Sequence, residues 1–263
     1  MKVKEIIGVL AEIAPLDLAA PWDNPGLLLG DPCAECESVT VALDLSAAVI
    51  RQAEEAGSGL ILTHHPFIFK AQQHILAGTY EGDAAIALSR AGIAAAAWHT
   101  NWDNAPQGIN RVLAEAVGLT DIRPLAEPGR GDDILLLGGD FPRALSAAEL
   151  CQIVAQALGL GVIKAAGLDD GKRYRRLAVC GGAGMDFWPR ARELGADAML
   201  SSDPKHHEGL QAAAAGFALL DGTHFATEVI GIRSLAHRLA EKCPQLRVLI
   251  AEEEDSWKYY SVK

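Results

Sequence analysis

Gly59-Leu60-Ile61-Leu62-Thr63-His64-His65-Pro66 is an apolar run that stops at two adjacent histidines and a proline. Such a run, bounded by glycine and proline, reads as a buried strand emptying into a loop. In open α/β sheets, ligands gather beyond the carboxyl ends of the strands. Paired imidazoles at that end therefore read first as metal ligands.

The flanking segments repeat the pattern. Residues 2–14 and 47–57 carry helical apolar spacing, with a strand at Val41–Leu45 between them. Ser46 suits the N-cap of the second helix and Gly57 its stop. Gly82–Ala91 reads as a helix and Ile93–Trp98 as a strand ending in His99-Thr100-Asn101-Trp102-Asp103. Strands alternating with helices predict an α/β fold. The expected architecture is two facing α/β lobes with mainly parallel sheets and the metal site between the lobes. Glu127-Pro128-Gly129-Arg130-Gly131-Asp132-Asp133 breaks the composition and sets a boundary there. Residues 1–125 would form the N-terminal α/β lobe, completed by 229–263, and 126–228 the second α/β lobe. In the second, a strand at Ile134–Gly138, a helix at Ser146–Leu158 and a strand at Leu177–Cys180 precede a long helix from His224 to about Glu241.

A weak internal repeat links the halves. Ala53-Glu54-Glu55-Ala56-Gly57 followed by Leu60-Ile61-Leu62-Thr63 has a later counterpart in Ala191-Arg192-Glu193-Leu194-Gly195 followed by Ala198-Met199-Leu200-Ser201. Duplication and the common look of helix-glycine-strand units explain it equally well. On both accounts, polar residues are delivered from strand ends in each half.

Composition narrows the function classes. Of 263 residues, 23 are Lys or Arg and 34 are Asp or Glu, a net charge of −11. That excess of acid argues against an extended nucleic-acid surface. Half the residues are hydrophobic, so a large packed core is available. Five scattered cysteines fit a reduced, cytoplasmic protein more than a disulfide framework. Cys33-Ala34-Glu35-Cys36 has CxxC spacing with no second pair to complete a zinc site, and reads as a loop with two ordinary thiols. The first residues open an amphipathic helix, and no apolar run is long enough to span a membrane.

Six of the eight histidines fall at four polar strand ends: His64 and His65, His99, His206 and His207, and His224. In His224-Phe225-Ala226-Thr227-Glu228 the imidazole and carboxylate are four apart and share a helix face. Asp103 follows the short loop that carries His99. Any one of these alone reads as a satisfied core or cap residue. Taken together, His64, His65, Asp103, His224 and Glu228 supply three imidazoles and two carboxylates. Five ligands suit two metals sharing a carboxylate and a water. With no thiolate in the set, two divalent transition metal ions per chain (Zn, Mn or Fe) are chemically acceptable. His99 and His207, outside that set, are the candidate catalytic proton-transfer groups. Cys180-Gly181-Gly182-Ala183-Gly184 lacks both GxGxxG spacing and a Walker lysine, so a plain tight turn outranks a phosphate loop. No GxSxG elbow is present, which leaves nucleophilic serine catalysis a poor third option.

Four segments, in order, resemble the Nif-three-like family, whose members are also called GTP cyclohydrolase 1 type 2 homologues. They are Trp22-Asp23-Asn24-Pro25-Gly26-Leu27-Leu28-Leu29-Gly30, Thr63-His64-His65-Pro66, His99-Thr100-Asn101-Trp102-Asp103 and Gly222-Thr223-His224-Phe225-Ala226-Thr227-Glu228. The resemblance covers essentially the whole chain. It implies a dinuclear site held by His64, His65, Asp103, His224 and Glu228, and a homo-oligomer assembled as a toroidal hexamer. It also implies GTP cyclohydrolase-like, metal-dependent hydrolysis of a small nucleotide-like substrate. The competing expectation is a non-catalytic metal-binding, metal-delivery or regulatory scaffold protein. Where the family has Thr-Gly-Asp, this chain has Ser201-Ser202-Asp203, followed by Pro204-Lys205-His206-His207. That departure unsettles the roles of Asp203, Lys205 and His207.

Overall fold

The computed structural model describes residues 1–125, 136–258 and 260, which form two compact units. The first comprises Met1–Trp102 and Leu235–Lys263; the second comprises Asp103–Ser234.

The first unit begins with α1 (Val3–Ile13), β1 (Gly26–Leu29) and β2 (Ser38–Ala42). Next come α2 (Ala47–Glu55), β3 (Leu60–Thr63), α3 (Tyr80–Ala91) and β4 (Ala94–Ala97). Its sheet runs β1-β4-β3-β2 and ends on a strand from the far end of the chain, Arg247–Ile250, which is β11. Only β1 is antiparallel to its neighbour; β4, β3, β2 and β11 are mutually parallel. Every residue of β2, β3 and β4 is buried. That two-sided burial explains why β3 and β4 read as apolar runs, whereas β2, with Ser38 and Thr40 buried in it, begins three residues before the expected Val41–Leu45 strand. Ser46 caps α2 as expected, accepting from the Val49 N–H at 3.2 Å.

The chain leaves this unit through a short helix, α4 (Thr100–Asp103). The second unit holds α5 (Ile109–Ala116), β5 (Thr120–Pro124), β6 (Leu137–Leu145), α6 (Ala147–Leu158) and β7 (Lys164–Ala166). It continues with β8 (Tyr174–Val179), α7 (Trp188–Glu193), β9 (Ala198–Ser201), α8 (His206–Ala214) and β10 (Ala218–Asp221). A long helix, α9 (His224–Lys242), carries the chain back. The sheet order is β5-β6-β8-β9-β10-β7.

Two expectations need correction. Mainly parallel pairing holds for the first sheet but not the second, where only β8-β9 and β9-β10 are parallel. The pairings of β5 with β6, β6 with β8, and β10 with β7 are antiparallel. The expected boundary near residue 125 falls instead between Trp102 and Asp103. Leu113, Ala114, Val117 and Leu119 bury themselves with Leu137, Leu177 and Leu200, so α5 belongs to the second core. The composition break at 127–133 and the start of the expected Ile134–Gly138 strand lie outside the described residues.

The two repeat copies occupy matching places. β3 and β9 are both interior strands that follow a helix stopped by a left-handed glycine, Gly57 at φ 65° and Gly195 at φ 83°. Each then empties into a polar loop on the carboxyl side of its sheet.

Candidate functional site

In the first unit, β3 delivers His64 and His65, and β4 delivers His99 one residue beyond Trp98. The ring centroids lie 5.0 Å apart for His64 and His65, 5.0 Å for His64 and His99, and 5.5 Å for His65 and His99. One nitrogen from each ring falls within 4.8 Å of the others, so the three could hold a metal ion.

Each ring is oriented by an oxygen on Nδ1. His64 Nδ1 donates to the Trp98 carbonyl at 2.9 Å, which can only accept. His65 Nδ1 meets Asp44 Oδ1 at 2.8 Å, and His99 Nδ1 meets Asp23 Oδ1 at 2.7 Å. A proton held on Nδ1 puts the basic lone pair on Nε2, the arrangement that metal-ligating histidines need. The sequence reading had set His99 apart from the ligands; the structure groups it with them.

Asp23 is unusual in its own right. Burial opposes its charge, yet bonds from the His99 ring, Thr100 and the Asn24 N–H hold its carboxyl down at about 2. Its Oδ1 takes the Asn24 N–H at 2.7 Å and its Oδ2 the Thr100 N–H at 3.0 Å, with the Thr100 hydroxyl closer still. The carboxylate that takes the neighbouring Asn24 N–H thus also aims an imidazole.

In the second unit, His224 and Glu228 open α9 and lie one turn apart, with His224 Nε2 3.1 Å from Glu228 Oε2. Asp203, just past β9, accepts from His224 Nδ1 at 2.6 Å. Ser202, where the family has glycine, is not among the positive-φ residues, whereas Asp203 itself has φ 54°, in the left-handed region that aspartate tolerates. Its role as the oxygen that orients His224 was not legible in the sequence. Glu228 is buried at 3% exposure and Asp103 at 9%, and both carboxylates raise the Cys180 thiol beyond what its full burial does.

The glycine turn after β8 serves this group. Gly182, at φ 61°, approaches so closely that a Cβ there would sit 2.1 Å from Glu228 Oε1 and 3.2 Å from His224 Nε2. Its amides are engaged inside the unit. Gly181 N donates to Asn110 Oδ1 at 2.7 Å, Gly182 N to Thr227 Oγ1 at 3.1 Å and Gly184 N to Ser201 Oγ at 3.0 Å. The turn holds a carboxylate in place and does not present a phosphate cradle.

His207 is exposed in the first turn of α8. Lys205 pairs with the buried Glu208 at 3.3 Å. Cys33 is exposed, Cys36 is buried, and both are free thiols. Among the described residues, no helix is long and apolar enough to cross a membrane.

The family profile of Duf34/NIF3 (NGG1p interacting factor 3) matches residues 1–256. A Clostridium perfringens protein named GTP cyclohydrolase 1 type 2 homolog is 31% identical over 248 residues, covering 92% of each chain. A Campylobacter jejuni protein of the same name is 30% identical over 261 residues, covering 99% of this chain and 100% of its own. The crystal structure of a Bacillus cereus protein related to NIF3 superposes with a TM-score of 0.91 over 99% of each chain. At 20% identity that last likeness speaks for the fold alone.

Proposed function

The chain belongs to the Duf34/NIF3 family, and from that premise we propose that it is a cytoplasmic, metal-dependent hydrolase acting on a small nucleotide-like substrate. The observation that carries this reading is the shared orientation of His64, His65 and His224, each with Nδ1 against an oxygen. Core histidines need no such common arrangement; ligands do.

We assign His64, His65, Asp103, His224 and Glu228 as ligands to two divalent ions per chain. The donor set of imidazoles and carboxylates fits Zn, Mn or Fe. Such ions, when bound, would supply Lewis acidity to polarise the substrate and to acidify water near neutral pH. The remaining work falls to the protein's own groups. Asp44 and Asp203 fix the ring directions of His65 and His224. His99 takes up a proton at Nε2 while the buried, ionised Asp23 keeps the ring oriented and stabilises its cationic form. His207 is the second candidate for proton transfer, on an exposed helix turn. The relatives' name makes GTP the first substrate to try.

The test pairs metal content with turnover on one preparation. Protein reconstituted with Zn, Mn or Fe should retain close to two ions per chain and hydrolyse at least one nucleotide in a panel that includes GTP. His99→Ala should keep its ions and lose turnover about 100- to 10,000-fold. Activity that falls only in proportion to lost metal would make His99 a ligand. Metal bound with no turnover would favour the scaffold or metal-delivery alternative.

A further inference from the structure

Beside the three imidazoles of the first unit stand two aromatic rings that the hydrolytic chemistry does not use. Trp22 is 50% exposed and Phe69 is 41% exposed. Their centroids lie 5.8 Å apart with the planes tilted 48°. Both meet His99 edge-on, Trp22 at 6.2 Å and 72° and Phe69 at 6.1 Å and 81°.

The rings sit on loops that are tied to one another. Asn24 Nδ2 donates to the Ile68 carbonyl at 2.6 Å, joining the turn that carries Trp22 to the segment that carries Phe69. Asp23, next to Trp22, is fixed by His99 and Thr100. The loops that carry the two rings therefore cannot shift toward the core without breaking these hydrogen bonds. Single exposed apolar side chains are ordinary, but two large rings held side by side and half in water form a paired apolar patch that calls for an occupant.

We propose that Trp22 and Phe69 form a stacking platform for the planar heterocycle of the substrate, set beside the catalytic imidazole. The inference rests on the hydrolase reading and adds the part of the substrate that is recognised. A ring cannot slip between the pair, because two stacking contacts need about 7 Å of separation. The base lies instead on an exposed face, with Trp22 the larger contributor. Stacking tolerates any π-face, so the platform selects planar rings over sugars and leaves the choice among bases to other contacts. The edge contacts with His99 then place the bound heterocycle within reach of the group assigned to proton transfer.

Binding is tested without turnover, using metal-loaded full-length protein and quenching of tryptophan fluorescence by guanosine, inosine, adenosine and uridine, with ribose 5-phosphate as the baseless control. Saturable quenching by the nucleosides and none by ribose 5-phosphate is expected. Trp22→Ala and Phe69→Ala, followed by calorimetry, should each weaken nucleoside binding roughly 5- to 150-fold while metal content stays at the wild-type value. Trp22→Phe should recover part of the loss, which a merely structural role would not require. Nucleoside binding that is unchanged in both alanine variants overturns the platform, as does the absence of saturable binding by all four nucleosides. A fall in oligomeric mass with unaltered nucleoside affinity overturns it too, and assigns the rings to a contact with a second copy. Nucleoside binding with the expected variant losses but no hydrolysis upholds the platform and sinks the hydrolase.

Discussion

Gly182 is the residue on which the second donor group turns. Its left-handed backbone and missing Cβ leave room for the Glu228 carboxylate against the chain. Gly182→Ala should cost about 1 kcal/mol or more in stability, since alanine resists a positive φ. It should also displace Glu228 and reduce bound metal as far as Glu228→Ala does. Elemental analysis and thermal unfolding on the same preparation check both halves. A folded Gly182→Ala protein with full metal content would show that Glu228 is no ligand. The same scale shows where sequence reading stops. His64, His65, Asp103, His224 and Glu228 are singled out by spacing and strand ends, as candidates. Asp44, Asp23 and Asp203 are not, because an isolated carboxylate in a loop beside a strand has no pattern until its imidazole is in view.

At the scale of elements, the buried strands were legible and the marginal ones were not. β3 coincides with the run read from sequence, and the N-cap at Ser46 falls where its hydroxyl predicts. β5 is mostly exposed and contains a proline, while β7 has three residues, so neither offers an apolar run to detect. Both are edge strands, and missing them hid the two antiparallel pairings at the edges of the second sheet. The pairing of β6 with β8 carries its own test. Asp140 and Arg176 are cross-strand partners joined at 2.8 and 3.3 Å. The Arg176 hydrogen bond holds the Asp140 carboxyl below its ordinary 3.8. A carboxyl depressed on folding stabilises above its unfolded value and loses that contribution as pH falls through the folded one. Asp140→Asn should therefore lower stability by about 1 kcal/mol at neutral pH. The gap to wild type should close on acidification below 3.8. Denaturant midpoints measured across that range decide it; a gap independent of pH would trace the loss to packing.

At the scale of the whole molecule, the family resemblance implies a ring of six copies. Val162, Leu210 and Trp257 are 78%, 61% and 80% exposed, apolar surface of the sort that subunit contacts bury. Light scattering at micromolar concentration should give about six times 27.8 kDa. A monomer in that experiment would remove the hexamer and leave those side chains without a role. The division into units was only partly legible. From the sequence, residues 229–263 are expected to complete the first lobe, but nothing there indicates that the handover occurs inside helices, where no proline marks it. Trp102/Asp103 lies within α4, and Ser234/Leu235 within α9.

The pairing of β11 with β2 has a consequence for biosynthesis. The second unit is one uninterrupted stretch of chain, whereas the first unit's sheet lacks an edge until Arg247–Ile250 has been made. Nor can Glu253 receive the N–H groups of Leu43 and Asp44 before then, at 2.7 and 3.0 Å. At roughly 5–20 residues per second, the ribosome reaches that strand on the order of ten seconds or more after releasing His64 and His65. During that interval Asp44, the carboxylate that aims His65, sits beside an unfinished strand edge. The first unit is thus begun first and completed last, and Asp44, the partner of His65, gains its own anchor on Glu253 only once that late segment is made.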